Sequence, residues 1–354
     1  MLLAPERVIR LKSGSGNPQP FSALVLGRVM EDQVRNFLED NGAEFVGFTA
    51  AEPFSDWNLS FRQRLHDGTL PAHYEKRLNC DPRDLLPAAE TLIVFGVRYD
   101  GLAAVPQPSR GSIAGIAWAR KKERNLSSDL ERFLADSGFE ARDVTRIPVK
   151  AAAVRSGIAT QRKNSLAYFQ GGDSAVRIGA VVTDLELAPG SESRVESNPC
   201  GDCTLCLESC PTGALVDEYV VDASRCLCYV LEHDSELPPG MRPAVGNRLV
   251  GCETCQLVCP LNRDVPRLSL EELPWLDLLS LAGDAVEGPD ELLSRFRDEM
   301  SLPIYSDYTL SRAIAIALGN WGDAKAVPLL KGLANFRYPE VVEAARWSLA
   351  KLGS

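Results

Sequence analysis

Nine of the ten cysteines of this chain lie between residues 200 and 262, and their spacing restricts what the chain can fold around. The first run follows the pattern C-x2-C-x2-C-x3-C-P of bacterial ferredoxins: Cys200, Cys203, Cys206 and Cys210. A second set again ends in Cys-Pro: Cys226, Cys252, Cys255 and Cys259. Short spacings let three thiolates converge on one cluster from a tight turn, while the fourth comes from elsewhere in the chain. The block therefore predicts two 4Fe–4S clusters.

In ferredoxins with two clusters, the last cysteine of each run binds the other cluster. This rule predicts one cluster on Cys200, Cys203, Cys206 and Cys259, and the other on Cys210, Cys226, Cys252 and Cys255. Zinc is the alternative because it also binds C-x2-C pairs, but it leaves the x3-C-P endings unexplained. A disulfide framework is less favoured, since the first 20 residues lack the pattern of a secretory signal. Cys80 and Cys228 are expected to be packed thiols rather than ligands.

The composition is that of an ordinary globular protein, with 45% hydrophobic and 24% charged residues over 354 positions. This length accommodates two or three domains. No run of 18 apolar residues is present, so we expect no transmembrane helix, no membrane partner and a cytoplasmic protein. The net charge of -10 argues against a surface that coats nucleic acid, although it is compatible with a local basic patch. We expect a monomer.

Periodicity predicts an α+β chain in three folded parts. Short β-branched and apolar runs predict strands at Glu44–Thr49, Thr91–Arg98 and Ala175–Leu187. Helical spacing predicts helices at 27–41, 118–137 and 268–281, and amphipathic helices at 324–333 and 339–352 that form a HEAT-like repeat with residues 311–319. The predicted division is a flexible segment over 1–20, an α/β domain over 21–190, the cluster domain over 191–266 and a helical region over 267–354.

Several segments in this order resemble the epoxyqueuosine reductase family. They are DPRDLLP at 81–87, RKNSLAY at 162–168, IGAVVTDLEL at 178–187, CGDCTLCLESCPTGAL at 200–215, DASRC at 222–226, GNRLVGCETCQLVCPLN at 246–262 and AIALGNWGDAKAVPLL at 315–330. The resemblance implies a nitroreductase-like domain that holds cobalamin, a ferredoxin-like domain with two 4Fe–4S clusters, and reduction of epoxyqueuosine to queuosine in tRNA. It also implies an electron donor of the ferredoxin or flavodoxin type.

The same resemblance implies that cobalamin is bound by Lys163, Asn164, Gly179 and Thr183. The alternative interpretation of these residues is a turn followed by a core strand. The family carries a proton-donating aspartate shortly before the proline that matches Pro148, but here that position falls near Thr145. Asp143 and Lys163 are the candidates for a replacement donor.

The segments that face the substrate in the family differ in this chain. The run WARKKERN at 118–125 lacks the Asp, Tyr and His of the family, and the basic run before the helical tail is reduced. These differences, with the acidic charge, weaken the expectation of tRNA binding. They leave two further hypotheses open: a related corrinoid and iron–sulfur reductase with another substrate, or an electron-transfer or corrinoid-reactivating protein without substrate chemistry of its own.

Overall fold

The computed structural model describes residues 20–76, 80–144, 147–170, 172–190, 199–233, 237–300 and 307–354. The predicted flexible segment 1–20 lies outside this part of the chain, apart from residue 20. The first half contains these helices and strands: α1 (Pro20–Asp40), β1 (Phe45–Ala50), α2 (Ser55–His66), β2 (Thr91–Arg98), β3 (Ser112–Ile113), α3 (Gly115–Asp136), β4 (Ala141–Asp143), α4 (Val149–Arg155), β5 (Ala159–Gln161), β6 (Ala167–Phe169) and β7 (Val176–Thr183).

An antiparallel sheet in the order β1-β2-β7-β4 forms the centre of this half. Alternate residues of β2 enter two different cores, because side chains alternate across a strand. Leu92 and Val94 pack on the side of α4, whereas Ile93 and Phe95 pack on the side of α1 and α3. A strand buried on both faces needs a continuous apolar run, which is why Thr91–Arg98 was predictable to the residue.

Other predicted elements of this half are confirmed with different ends. The first helix begins at Pro20 rather than at residue 27, and the first strand is displaced by one residue to Phe45–Ala50. The strand predicted at Ala175–Leu187 ends at Thr183, whose hydroxyl donates to the carbonyl of Glu140 at 2.7 Å. This bond turns the chain out of the sheet.

Short elements joined by loops make up the cysteine-rich region. They are α5 (Leu205–Glu208), β8 (Leu215–Asp217), β9 (Val220–Val221), α6 (Leu227–Val230), α7 (Arg242–Val245), β10 (Arg248–Val250) and α8 (Thr254–Leu257). Strands β8 and β9 form a hairpin, and β10 pairs in parallel with β3 of the first half. The region is therefore joined to the first half by backbone hydrogen bonds as well as by side chains.

The remaining described residues form helices: α9 (Leu278–Glu287), α10 (Pro289–Met300), α11 (Asp307–Trp321), α12 (Val327–Leu333) and α13 (Pro339–Lys351). The two amphipathic helices predicted near the end of the chain are confirmed as α12, with a 3-10 turn before it, and α13. The helix predicted at 268–281 is wrong in position, because it begins only at Leu278. Asp277 caps that start by accepting from the N–H of Ser280 at 2.9 Å.

One apolar core runs through the cysteine-rich region and the terminal helices. It includes Leu227 and Val230 of α6 together with Ile314 of α11 and Val341 of α13. Arg312, which is 3% exposed, donates to the carbonyl of Val230 at 2.7 Å. The predicted boundary at 266/267 therefore does not separate two cores. Within the described residues, no helix has the length and apolar character needed to cross a membrane.

Candidate metal centre

Two cysteines of the first run, Cys200 and Cys206, lie close to Cys259, the last cysteine of the second. Burial raises the pKa of the Cys206 thiol, and negative charge on Cys259 and on Cys200 raises it further. Such mutual influence requires that the sulfur atoms be neighbours. Cys259 is therefore near the loop of Cys200 and Cys206, although it lies 53 positions after Cys206 in the chain.

A second group contains Cys210, Cys226, Cys252 and Cys255. Burial raises the pKa of the Cys226 thiol, and the charges of Cys252 and Cys210 add to this effect. Burial also raises the pKa of Cys255, with contributions from Cys252 and Cys226 first and from Cys206 and Cys210 after them. All ten cysteines are free thiols. Among the described residues, no three His, Cys, Asp or Glu side chains are grouped closely enough to hold one metal ion. The thiols are thus neighbours without being in contact.

Backbone N–H groups point at one of these sulfur atoms. The Sγ of Cys210 accepts from the N–H of Ala214 at 3.2 Å. Burial works to raise the pKa of Cys210, but the N–H groups of Leu215, Thr212 and Ala214 together outweigh it, so the pKa is lowered. A lowered pKa favours the thiolate, which is the form that binds metal.

Lys163, Asn164 and Ser165 form a turn that contacts three parts of the cysteine-rich region, and we call it the clamp turn. The Nζ of Lys163 donates to the carbonyl of Gly201 at 2.7 Å and pairs with Glu218 at 2.6 Å. The Nδ2 of Asn164 donates to the carbonyl of Cys255 at 3.5 Å and to Tyr168 Oη at 2.9 Å. The Oγ of Ser165 donates to the carbonyl of Tyr219. The clamp turn therefore joins the sheet half to both cysteine runs.

A second polar joint lies beyond the last cysteine. Asn262 is 2% exposed and donates to the carbonyl of Gln256 at 2.9 Å and to the hydroxyl of Ser174 at 3.0 Å. Its Oδ1 accepts from the N–H of Ser174 at 2.9 Å. Because Ser174 lies just before β7, this joint fixes the Cys255–Cys259 loop against the central sheet.

Glu253 joins the second cysteine run to the start of α3. Its carboxylate is buried and accepts from the N–H of Ala103 at 2.7 Å and of Ile116 at 3.2 Å. Burial raises the pKa of this carboxyl, although these N–H donors act in the opposite direction. A carboxylate at a helix N-terminus satisfies N–H groups that have no partner within the helix.

The ninth cysteine of the block, Cys228, has a different environment. Its Sγ lies 3.9 Å from Glu232 Oε1, to which it donates, and burial raises the pKa of the thiol well above its ordinary value. Burial also raises the pKa of the Glu232 carboxyl, against the lowering effect of Arg120, which lies 3.8 Å away. A protonated thiol donating to a carboxylate is what a non-ligand would be expected to show.

Two residues implied as cobalamin contacts lie inside the sheet. A Cβ on Gly179 would be 2.3 Å from the ring of Phe95, so this glycine is required by packing. Thr183 is completely buried and its hydroxyl is bonded to Glu140. Their placement corresponds to a core strand, and the placement of Lys163 and Asn164 corresponds to a turn that holds the cysteine loops.

Asp143 ends β4 and faces α3, beside a polar seam between that helix and β7. The seam contains Glu123 and Arg177, whose side chains pair at 2.9 Å, and Ser127, which is 1% exposed. Burial raises the pKa of Asp143, while a hydrogen bond from Ser127 opposes the increase. Thr145, near which the acid position of the family falls, lies outside the described residues.

Two cations near the second group of thiols, Lys150 and Arg64, were not predicted. Lys150 on α4 is accessible to solvent and donates to the carbonyl of Ser165 at 2.8 Å. Burial nevertheless lowers the pKa of its ammonium, and Arg64 lowers it further, while Cys226 and Cys255 act in the opposite direction. The available signal was a single lysine in the apolar run PVKAAAV at 148–154.

Comparisons with known proteins can be set beside this geometry. Residues 199–262 match a family described as a 4Fe-4S double cluster binding domain. The epoxyqueuosine reductase of Pseudomonas aeruginosa is 30% identical over 315 residues, which cover 80% of this chain and 82% of that protein. This chain belongs to the epoxyqueuosine reductase family. The family member of Lactococcus garvieae is 28% identical over 350 residues, covering 91% of this chain and 96% of that protein.

Solved structures of the family have the same fold. An epoxyqueuosine reductase crystallised with an epoxyqueuosine-modified tRNA stem loop superimposes with a TM-score of 0.79 at 25% identity, covering 92% of this chain and 91% of that chain. The enzyme of Bacillus subtilis gives the same TM-score at 26% identity and the same coverage. The similarity therefore extends over the sheet half, the cysteine-rich region and the terminal helices together.

Proposed function

We propose that this chain is an oxidoreductase that uses two 4Fe–4S clusters and cobalamin to reduce epoxyqueuosine to queuosine in tRNA. The observation that carries the proposal is the match to epoxyqueuosine reductases along nearly the whole chain, with the thiols in two groups. The fold alone would not be sufficient, because one fold serves many reactions.

The two groups of thiols support a crossed assignment of the cluster ligands. The first cluster would be bound by Cys200, Cys203, Cys206 and Cys259, and the second by Cys210, Cys226, Cys252 and Cys255. The influence of Cys259 on Cys206, and of Cys210 on Cys226, supports this exchange of the last cysteines. The N–H donors at Cys210 also fit a cluster, because hydrogen bonds to sulfur are among the features that tune cluster potentials.

Two neighbouring cations support cobalamin binding, because the periphery of this cofactor carries amide groups and a phosphate. Lys150 and Arg64 would bind these acceptors. The Nε of Arg64 is buried, and among the described residues nothing accepts its hydrogen. Burial lowers the pKa of Arg64, with Asp222 and Tyr74 opposing the effect, so a bound anion would compensate a desolvated cation. When bound, cobalamin supplies a cobalt centre that is strongly nucleophilic in its low-valent state.

The reaction requires protons as well as electrons. Conversion of an epoxide to an alkene consumes two electrons and two protons: both C–O bonds break, a C=C bond forms and the oxygen leaves as water. The clusters would deliver the electrons one at a time from an external donor of the ferredoxin or flavodoxin class. We propose Asp143 as the donor of one proton, because burial raises the pKa of its carboxyl and so favours the protonated form.

Two measurements test this proposal in the full chain under anaerobic conditions. The first is turnover: the protein, supplied with cobalamin and reductant, should convert an epoxyqueuosine-containing tRNA stem loop to the queuosine form. The Asp143→Asn variant should retain iron, sulfide and corrin but lose turnover. The second is complementation of a host that lacks this activity. Persistent epoxyqueuosine in its tRNA, with correctly loaded protein present, would reject the assigned substrate.

A related reductase with a substrate other than tRNA is the second candidate, and the start of α3 favours it. Trp118 packs against Trp275 with ring centroids 6.1 Å apart, and its buried indole N–H has no acceptor among the described residues. Lys121 donates to the carbonyl of Asp298 at 2.9 Å, and Lys122 pairs with Asp100 at 2.7 Å. Each lysine thus already has an oxygen partner within the chain, although the Lys122 side chain is 57% exposed.

Binding of tRNA over a salt series separates the two candidates. Recognition through phosphates gives an association constant that falls steeply as salt increases. Tight and salt-dependent binding of the stem loop would support the tRNA substrate, whereas weak binding that salt does not change would support another substrate.

A further inference from the structure

Lys163 brings a buried positive charge to the loop of the first cysteine run. Its side chain is 5% exposed, and its Nζ donates to the carbonyl of Gly201, between Cys200 and Cys203, at 2.7 Å. Residues 199–224 contain no Lys or Arg, but contain the acids Asp202, Glu208, Asp217, Glu218 and Asp222. The cation at Gly201 is therefore supplied by a residue that lies 38 positions earlier in the chain, whereas Arg225 lies at the other end of the run and donates to the carbonyl of Thr212 at 2.6 Å.

The position of this ammonium is set by several independent contacts. The N–H of Tyr219 donates to the carbonyl of Lys163 at 2.8 Å, and the hydroxyl of Ser165 donates to the carbonyl of Tyr219. Ser165 and Tyr219 both have left-handed backbone conformations, with φ of 61° and 64°. Such conformations persist in residues other than glycine only where the surroundings determine them, and they concentrate at functional sites.

Glu218 neutralises part of this charge. Its carboxylate lies 2.6 Å from the Nζ of Lys163, but its side chain is 45% exposed and sits at the tip of the β8–β9 hairpin. The pair is therefore asymmetric: the cation is buried against the cysteine loop, while water screens the anion. Removing one partner should have the opposite electrostatic effect from removing the other.

We propose that Lys163 is a positioning and electrostatic residue that raises the reduction potential of the cluster bound by Cys200, Cys203, Cys206 and Cys259. Reduction adds one electron from an external one-electron reductant to the oxidised cluster, with no bond formed or broken. The cluster then carries one more negative charge, which a nearby positive charge stabilises. Net charge and hydrogen bonding near the cluster are recognised determinants of its potential.

The inference rests on the proposed two-cluster assignment, and its test uses no turnover measurement. Anaerobic full-length protein is titrated with dithionite while electron paramagnetic resonance follows each reduced cluster. Lys163→Met should shift the midpoint of one cluster to a more negative value, by about 59 mV if the ratio of reduced to oxidised form changes tenfold. Glu218→Gln should shift the same cluster in the positive direction, and Lys163→Arg should restore most of the wild-type midpoint.

The matched control is Lys351→Met, which removes the same charge at an exposed residue of α13, whose Nζ donates to Asn320 and lies 5.2 Å from the ring centroid of Trp347. It should leave both midpoints unchanged. Equal shifts of both clusters, shifts of the same sign for Lys163→Met and Glu218→Gln, or no shift would overturn the proposal. If Lys163→Met does not fold, the Glu218→Gln titration decides, because this exposed side chain can be changed without opening the interior.

Iron and sulfide analysis of the wild-type protein distinguishes failure of the two-cluster assignment from failure of the proposal about Lys163. About eight irons with two reducible clusters support the assignment and make the titration a test of Lys163 alone. Fewer irons, or a single cluster, would reject the two-cluster proposal and this inference with it. A correct iron count with unmoved midpoints would reject only the inference.

Discussion

Replacing Asn262 by alanine should loosen the last cysteine loop from the central sheet. The change removes the hydrogen bonds of the amide to Ser174 and Gln256, and it leaves the N–H of Ser174 and the carbonyl of Gln256 buried without those partners. The carbonyl of Gln256 still accepts from the N–H of Cys259 at 3.2 Å, so the N–H of Ser174 is the group left unsatisfied. One buried group left unsatisfied costs about 1–3 kcal/mol, so the free energy of unfolding should fall by about 1–3 kcal/mol. The hydroxyl of Ser174 keeps a bond from the Gln256 side chain at 3.0 Å.

The assay combines urea unfolding with the rate of iron release to a chelator, because Asn262 follows the predicted ligand Cys259 by three residues. Asn335→Ala is the matched control: its Nδ2 donates to the carbonyl of Lys331 at 2.9 Å on an exposed surface, so the expected change is within about 0.5 kcal/mol. Asn262→Ala should unfold at lower urea and release iron faster than this control. Equal unfolding midpoints and equal iron-release rates for the two variants would refute the reasoning.

Three further predictions concern packing, pH and the extra thiol. Gly179→Ala places a methyl group against the Phe95 ring and should lower thermal stability by about 1–3 kcal/mol or more, whereas unchanged stability with weaker corrin binding would contradict the core interpretation. Arg98 holds the pKa of Glu44 below its ordinary value, so the stability from this pair is present above about pH 4.5 and is lost as the pH falls through the lower folded-state value. Glu44→Gln should therefore reduce the loss of stability on acidification. The expected reduction is less than about 1 kcal/mol, because the side chains of Arg98 and Glu44 are both about one-third or more exposed. A dependence of stability on acid pH that the variant leaves unchanged would count against this reasoning. Cys228→Ser should keep the iron content of the wild type, and loss of a cluster would identify Cys228 as a ligand.

Local sequence patterns predicted the strands and helices that are determined by neighbouring residues. Strand β2 is a short apolar run buried on both faces, and α13 begins with a proline, which is common at the first position of a helix. Each element could therefore be predicted from a short stretch of the sequence. The start of α9 was missed because Asp277 caps the helix after a proline-containing 3-10 turn. The spacing of the cysteines predicted the iron–sulfur region, which matches a 4Fe-4S double cluster binding domain over residues 199–262, because such spacing reflects the chemistry of a cluster loop.

The joints around the thiols could not be predicted in the same way. Lys163 contacts Gly201 across 38 residues and Asn262 contacts Ser174 across 88, and no periodicity links such positions. Lys150 belongs to the same class: its position in a helix of small apolar residues indicated a buried face, and only the fold brings it near Cys226 and Cys255. Long-range polar contacts depend on the assembled structure, so local sequence patterns do not predict them.

The cysteine-rich region is held from two sides, and this arrangement separates electron supply from substrate choice. The clamp turn fixes its loops against the sheet, and Arg312 fixes Val230 against the terminal helices. Preorganised charges and donors act without reorganising when charge moves. Changes at these joints should therefore alter potentials and iron retention while leaving substrate preference intact. Changes at Asp143 or Trp118, which lie at the polar seam and the start of α3, should alter turnover or substrate preference while the clusters keep their potentials.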